Sequence, residues 1–188
     1  MPVSVVDENV ALVVIDLQKG TVGRAGLTPL SGAEVVANTV RLADAFRAAG
    51  KPVVLVRMLA GAAPGRTEFG SGGQEYPADW DELVPELTGP ELTGDVTVAK
   101  RTLSAFTATE LDLVLRRRGV TQVVFAGVAT SIGVESSARG AYDLGYHVVV
   151  ATDAVTDLRP DTHALSVGWF ARMVGETGTV DEIAALLR

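Results

Sequence analysis

The sequence predicts an α/β fold in which a parallel sheet of about six strands is covered by helices on both faces. Three observations carry this expectation. Short apolar runs alternate with segments of helical period along the chain from Val10 onward. The runs at 10–15, 53–56 and 123–126 are apolar throughout, as strands buried on both faces are. A helical pattern lies between the first two runs, which makes a βαβ unit with parallel strands and a right-handed crossover.

Taken in order, Val10 to Ile15 is the first buried strand, with Asp16 at its carboxyl end. A carboxylate there faces a crevice beyond the sheet or serves as a turn residue or helix cap, and spacing alone does not choose between them. Leu17-Gln18-Lys19-Gly20 starts a loop. Gly32 to Ala49 is a helix with Val35, Val36, Thr39, Leu42, Ala43 and Phe46 as its apolar stripe and Gly50 as its stop. Lys51-Pro52 leads to the second strand, Val53 to Val56. Gly61 to Gly94 is rich in Gly and Pro and sets Tyr76 and Trp80 among acidic residues. Such a segment reads as a lid or binding loop, or as a variable surface excursion. It contains no GxxxxGK[ST] phosphate loop. Asp95 to Ala99 is a third strand and Lys100 follows it. A helix begins at Thr109 or Glu110 and runs to about Arg118, with Leu111, Val114 and Leu115 inward and Gly119 as its stop.

Gln122 to Tyr146 organises the rest. Val123 to Ala126 has the length and β-branched content of a buried strand, and Gly127 with Val128-Ala129-Thr130 forms a tight turn. From about Ser131, Ile132, Ala138, Ala141 and Leu144 suit one helical face, which Gly145 ends. A strand feeding a helix through small residues leaves backbone N–H groups that attract anions and stabilise oxyanions. His147 to Ala151 is a further strand. Asp161 to Met173 is a helix with Thr162, Leu165, Trp169 and Met173 on one stripe. Gly178-Thr179-Val180 suits a short last strand, and Asp181 suits the cap of a final helix over 182–187.

Composition narrows the function. The 188-residue chain carries a net charge of −7, which argues against nucleic acid and anionic membranes as partners, since both need a basic face. The run Arg116-Arg117-Arg118 sits late in a predicted helix, where it complements the helix dipole. There is no cysteine, so disulfides, thiolate nucleophiles and cysteine metal sites are excluded. No apolar run approaches transmembrane length, and Asp7 and Glu8 stand where a signal peptide needs basic and then apolar residues. The expected location is the cytoplasm.

Asp16, Lys100 and the turn from Gly127 to Gly133 each follow a strand at its carboxyl end, and in an open parallel sheet these ends share one edge. An Asp and a Lys in a partly dry cleft perturb each other's pKa and exchange protons with a ligand. The plainer alternative is a structural ion pair. Arg57, Arg66 and Arg101 stand as carboxylate binders or as solvated surface arginines.

The segments ALVVIDLQ, VAKRTLSAF and GVATSIGVESSARGAYDLGYHVVVATDAVTD resemble the three signature segments of the isochorismatase-like (cysteine hydrolase) superfamily, in the same order and over nearly the whole chain. The resemblance implies one hydrolase domain over 1–188, a doubly wound sheet of strand order 3-2-1-4-5-6, and an active site of Asp, Lys and usually Cys. Asp16 falls on the family's acid/base carboxylate and Lys100 on its catalytic lysine. Val128-Ala129 falls on its cis peptide, which with the Gly133 N–H lines the oxyanion or substrate side.

The chain departs from the family at Gly133, where the nucleophilic cysteine falls. A glycine forms no covalent intermediate, and Ser131, Ser136 and Ser137 do not stand in its place. The true isochorismatases form a cysteine-free branch that hydrolyses a vinyl ether by protonation, water addition and collapse of a hemiketal. In that branch Asp16 is the acid, Lys100 orients substrate or stabilises charge, and Gly133 leaves room for water. Those enzymes share a Gln after the second strand, where this chain has the region of Met58. The metal-using nicotinamidase branch resembles it less, because no histidine follows the second strand; His147 and His163 read as ordinary surface or helix residues. The expectation is a metal-independent, cofactor-free hydrolase of a small-molecule vinyl ether, amide or ester. The alternative is a silent member that binds a small ligand or partner protein through the same pocket, although such a module has no use for a proton-transfer pair. Trp169, Phe170 and Met173 add the expectation of a homo-oligomer, most simply a dimer.

Overall fold

The computed structural model describes residues 1–60, 75–89, 92 and 95–188. Its strands are β1 (Val10–Ile15), β2 (Val53–Met58), β3 (Val96–Lys100), β4 (Gln122–Val128), β5 (His147–Thr156) and β6 (Glu176–Gly178). All pair in parallel, in the order β3-β2-β1-β4-β5-β6, which is the order expected. The helices are α1 (Lys19–Val22), α2 (Gly32–Ala48), α3 (Leu111–Arg117), α4 (Glu135–Asp143), α5 (Pro160–Trp169) and α6 (Val180–Leu186).

The alternation of side chains along β1 divides the core in two. Val10, Leu12 and Val14 pack with Val35, Leu42 and Phe46 of α2 and Ile183 of α6. Ala11, Val13 and Ile15 pack on the other face with Leu111 and Leu115 of α3 and Ala138 and Ala141 of α4. The predicted stripe of α2 is buried in full, and its start is fixed by a capping box between Ser31 and Glu34.

Several boundaries differ from expectation. The loop after Leu17 contains the single turn α1. β5 continues five residues past Ala151, to Thr156, because its register with β4 shifts: Phe125 pairs with Val150, but Gly127 pairs with Val155. Leu144 is exposed, since α4 has ended and Tyr146 takes the core position. The stripe of Leu165, Trp169 and Met173 faces outward at 63%, 47% and 58% exposure. Ser166, Phe170 and Val174, one position further on, face inward as the helix widens into the π-helical turn Phe170–Val174. β6 starts at Glu176. Thr179, rather than Asp181, caps α6: its hydroxyl accepts from the Glu182 N–H, and Glu182 accepts from the Thr179 N–H.

Of the predicted lid from Gly61 to Gly94, residues 61–74, 90, 91, 93 and 94 lie outside the described residues. Residues 75–89 fold back on α1: the N–H groups of Lys19 and Gly20 donate to the carbonyls of Glu82 and Trp80, and Val84 N–H donates to Leu17. Among the described residues no helix is long and apolar enough to cross a membrane.

One glycine sets how closely the two central strands meet. Gly127 has φ +119°, and a Cβ placed on it falls 2.0 Å from the Ile15 carbonyl oxygen. Only glycine accepts both that backbone region and that approach. Gly127→Ala should therefore destabilise the protein by about 3 kcal/mol, combining backbone strain with overpacking. Urea unfolding followed by circular dichroism measures this, and a change below 0.5 kcal/mol, roughly the range of a neutral surface substitution, would show that the approach is not rigid.

Candidate active site at the carboxyl edge of the sheet

Asp16 leaves β1 in the left-handed region, with φ +53°, which Asp tolerates better than most residues. Its N–H still donates to Val56 of β2 at 2.8 Å. Its carbonyl accepts from the Gln18 N–H at 2.9 Å and from the Thr21 hydroxyl, so α1 closes directly behind it. The carboxyl group is thereby turned to Lys100, whose Nζ lies 2.8 Å from Oδ2. Both residues are buried, at 5% and 1% exposure. Oδ1 of Asp16 is buried and has no hydrogen-bond partner among the described residues.

Lys100 stands opposite Met58 in the β2–β3 register. Besides Asp16, its ammonium donates to the carbonyls of Thr102 at 3.2 Å and Leu103 at 2.9 Å. Three N–H donors thus meet three acceptors, and all are committed within the protein. The loop after Lys100 is tied to the turn after β4 by Ser137, whose buried hydroxyl accepts from the Ala105 N–H and donates to the Gly133 carbonyl at 2.7 Å. That hydroxyl is occupied structurally.

The turn itself follows a cis Val128–Ala129 peptide, at the position expected. Residues Thr130–Val134 form a π-helical turn in which the N–H groups of Ile132 and Val134 both donate to the Ala129 carbonyl. Gly133 is buried at its centre. A Cβ on Gly133 falls 3.1 Å from Asp16 Oδ2, 3.0 Å from Ile15 Cγ2 and 3.4 Å from the Val128 carbonyl oxygen. A side chain at 133 therefore points at the Asp16–Lys100 pair. Asp16, Lys100, Val128, Ala129 and Gly133, predicted from separate segments, form one cluster.

Three further residues shape this cluster. Gln18, fully buried, donates to the Met58 and Trp80 carbonyls and accepts from the Met58 N–H at 2.8 Å, joining β1, β2 and the segment at 75–89. Asp157 accepts from the Ser131 N–H at 2.7 Å. His163 Nδ1 lies 2.9 Å from the Thr130 hydroxyl, which corrects its reading as an ordinary helix residue. Gln18 and Asp157 lie inside or at the end of the segments that carry the resemblance, but neither stands where a simple strand-end rule would look. Of the three arginines considered, Arg57 pairs with Asp81 at 3.1 Å, Arg101 is exposed, and Arg66 lies outside the described residues. Among the described residues, no group of three His, Cys, Asp or Glu is placed to hold a metal ion.

Burial raises the Asp16 pKa to about 6, against the opposing attraction and hydrogen bond of Lys100. The carboxyl group thus takes up and gives back a proton close to neutral pH. Its unpartnered Oδ1 is the atom through which a ligand can meet that proton.

A doubly wound sheet with a carboxylate and an ammonium paired at the carboxyl ends of β1 and β3, beside a tight strand-to-helix turn, is the architecture of the isochorismatase-like hydrolases. The Isochorismatase domain family matches residues 10–182, and the chain belongs to it. It is 40% identical to the uncharacterized isochorismatase family protein YwoC of Bacillus subtilis over 93% of this chain and 92% of that protein. It is 29% identical to the ureidoacrylate amidohydrolase RutB of Rhizobium rhizogenes, over 98% of this chain and 85% of that protein. Among solved structures, an isochorismatase family protein from Burkholderia thailandensis superposes with a TM-score of 0.89 at 39% identity, over 97% of each chain.

The pair predicts its own response to mutation. Lys100 holds the Asp16 carboxyl down, so Lys100→Met should push its pKa above about 6, readable by carbon-13 NMR of the carboxyl group. Removing one partner of a buried pair typically costs about 3–5 kcal/mol. Because the folded pKa exceeds the unfolded one, the contribution of Asp16 is greatest at low pH and is lost as pH rises through the folded value. The variant should therefore lose stability between pH 4 and 8, as followed by thermal unfolding; a flat profile would contradict the assignment.

Proposed function

We propose that residues 1–188 act as one cytoplasmic hydrolase domain that cleaves a small metabolite, a vinyl ether or an amide or ester, without a covalent enzyme intermediate or a metal ion. The observation that carries this reading is the buried Asp16–Lys100 pair with Oδ1 of Asp16 left free beside Gly133. Asp16 is the proton-transfer group. Lys100 keeps its carboxylate form tolerable in a dry setting. The Val128–Ala129 peptide and the Gly133 N–H form the oxyanion side of the site. The position that points a side chain at the pair holds glycine, and the chain has no cysteine, so water is the nucleophile.

With a vinyl ether, protonated Asp16 delivers its proton to the vinyl carbon, water adds to the oxocarbenium ion, and the hemiketal collapses to a carbonyl compound and an alcohol. With an amide or ester, ionised Asp16 takes a proton from the attacking water and returns it to the leaving group. The two chemistries require opposite protonation states and are told apart by pH.

A panel of vinyl ethers, ureido amides, simple amides and esters should yield a substrate. Asp16→Asn should lower kcat/KM by about 10²–10⁴-fold. For a vinyl ether kcat/KM should fall as pH rises through about 6; for an amide it should rise over the same interval. Full activity in Asp16→Asn, or an acyl adduct on Ser131 in the mass spectrum of the working enzyme, would overturn the site. Tight binding of a panel compound without turnover would favour the silent member.

We also propose that the chain is a homodimer through α5. Leu165, Trp169 and Met173 form an exposed apolar stripe at four-residue spacing, and a second copy offers the same stripe in an isologous contact. Light scattering should give the dimer mass, and Trp169→Glu should give a folded monomer. A monomeric parent protein would contradict this.

A further inference from the structure

We infer that His163 is a positioning residue for the candidate site: by hydrogen bonding to the buried Thr130 hydroxyl it fixes the turn that sets Gly133 against Asp16. Two adjacent residues of that turn are anchored to the last part of the chain. Ser131 N–H donates to Asp157 Oδ2 at 2.7 Å, and Thr130 Oγ1 meets His163 Nδ1 at 2.9 Å. Asp157 is itself immobile. Its Oδ1 accepts from the Leu158 N–H at 2.7 Å, and its backbone exchanges two hydrogen bonds with Thr28. The His163 ring is the partner that can reverse its hydrogen-bonding role, because an imidazole gains or loses a proton.

The two states treat Thr130 oppositely. A neutral ring with its proton on Nε2 accepts the Thr130 hydroxyl hydrogen at Nδ1. An imidazolium ring has hydrogens on both nitrogens and accepts nothing, so the hydroxyl must turn its own hydrogen elsewhere and become the acceptor. Thr130 is fully buried and starts the π-helical turn, so that reversal is felt along 130–133. Burial pushes the His163 pKa below its ordinary value, with the charge of Asp157 opposing. The other charged groups around it are engaged. Arg159 and Asp161 pair with one another on α5, and Glu135 of α4 is held by Arg139 and by the Ser166 hydroxyl. Asp157 is thus the charge that acts on the ring.

The coupling of ring to turn stands by itself, whereas its catalytic consequence rests on the hydrolase reading above. The test separates them. In proton–nitrogen NMR of the full chain, the amide signals of Thr130, Ser131 and Gly133 should shift with the same midpoint as the His163 ring, which titrates below the usual histidine value. His163→Asn keeps a hydrogen-bonding group near the Nδ1 position and cannot titrate there, so this component should vanish, leaving only the component that follows Asp16. Amide exchange across 131–134 should quicken about tenfold or more in His163→Leu and stay near the parent value in His163→Asn. With a substrate in hand, His163→Leu should lower kcat about tenfold with little change in KM, and His163→Asn should restore it. Turn amides that ignore the His163 midpoint, or that titrate unchanged in His163→Asn, would overturn the proposal whether or not a substrate is found. Should His163→Leu fail to fold, the parent and His163→Asn titrations decide alone.

Discussion

The buried ion pair between Asp16 and Lys100 is the constraint around which this fold is arranged. Withdrawing two opposite charges from water is costly unless their geometry is good and their remaining hydrogen-bonding capacity is met. Lys100 meets that condition through two backbone carbonyls, Thr102 and Leu103, which lie just beyond its own strand. Asp16 does not, because one oxygen stays unpartnered. On the proposed reading, this asymmetry is what fits the pair for proton transfer. A fully satisfied carboxylate would hold its charge firmly, whereas this one is poised between two protonation states.

The surrounding structure removes freedom from the same spot. β1 and β4 approach closely because Gly127 lacks a side chain, and this brings the turn after β4 over the end of β1. Ser137 then binds the loop after Lys100 to that turn, and Gln18 binds the start of α1 to the end of β2. Each tie is a hydrogen bond between a buried polar side chain and the backbone, a kind of contact that is expensive to leave unmade. Such rigidity would hold the distances that the proposed proton transfer needs.

Much of this was legible in the chain. Continuous apolar runs separated by helical stretches predict a parallel sheet, because only strands covered on both faces lack polar alternation. Asp16 and Lys100 were visible because a charge directly after an apolar run is conspicuous. The strand order and the cis peptide came with the resemblance rather than from periodicity. Other features lie beyond pattern reading. The stripe of Leu165, Trp169 and Met173 has a helical spacing, but spacing does not say which side faces the sheet; Phe170 and Val174 decide it, helped by a π-helical turn that no period reveals. The length of β5 depended on a register shift against β4. His163 carries no signal in the sequence because its partner, Thr130, lies on another element and nothing local links them. Thr179 won the cap over Asp181 through its reciprocal bond with Glu182, a matter of where the helix begins by two residues.

The strand order also bears on how the protein emerges during synthesis. Among the described strands β1 comes first along the chain, yet it ends in the middle of the sheet, between β2 and β4. Domains begin to organise while the chain is still being extended. At that stage β1 can pair with β2, and Lys100 can reach Asp16 once β3 has been added. β4 comes later, after α3, and until it arrives one long edge of β1 and the apolar row Val10 to Ile15 lie open. The Asp16–Lys100 pair is thus dry only in the complete sheet, because β4 and the turn after it close over the end of β1.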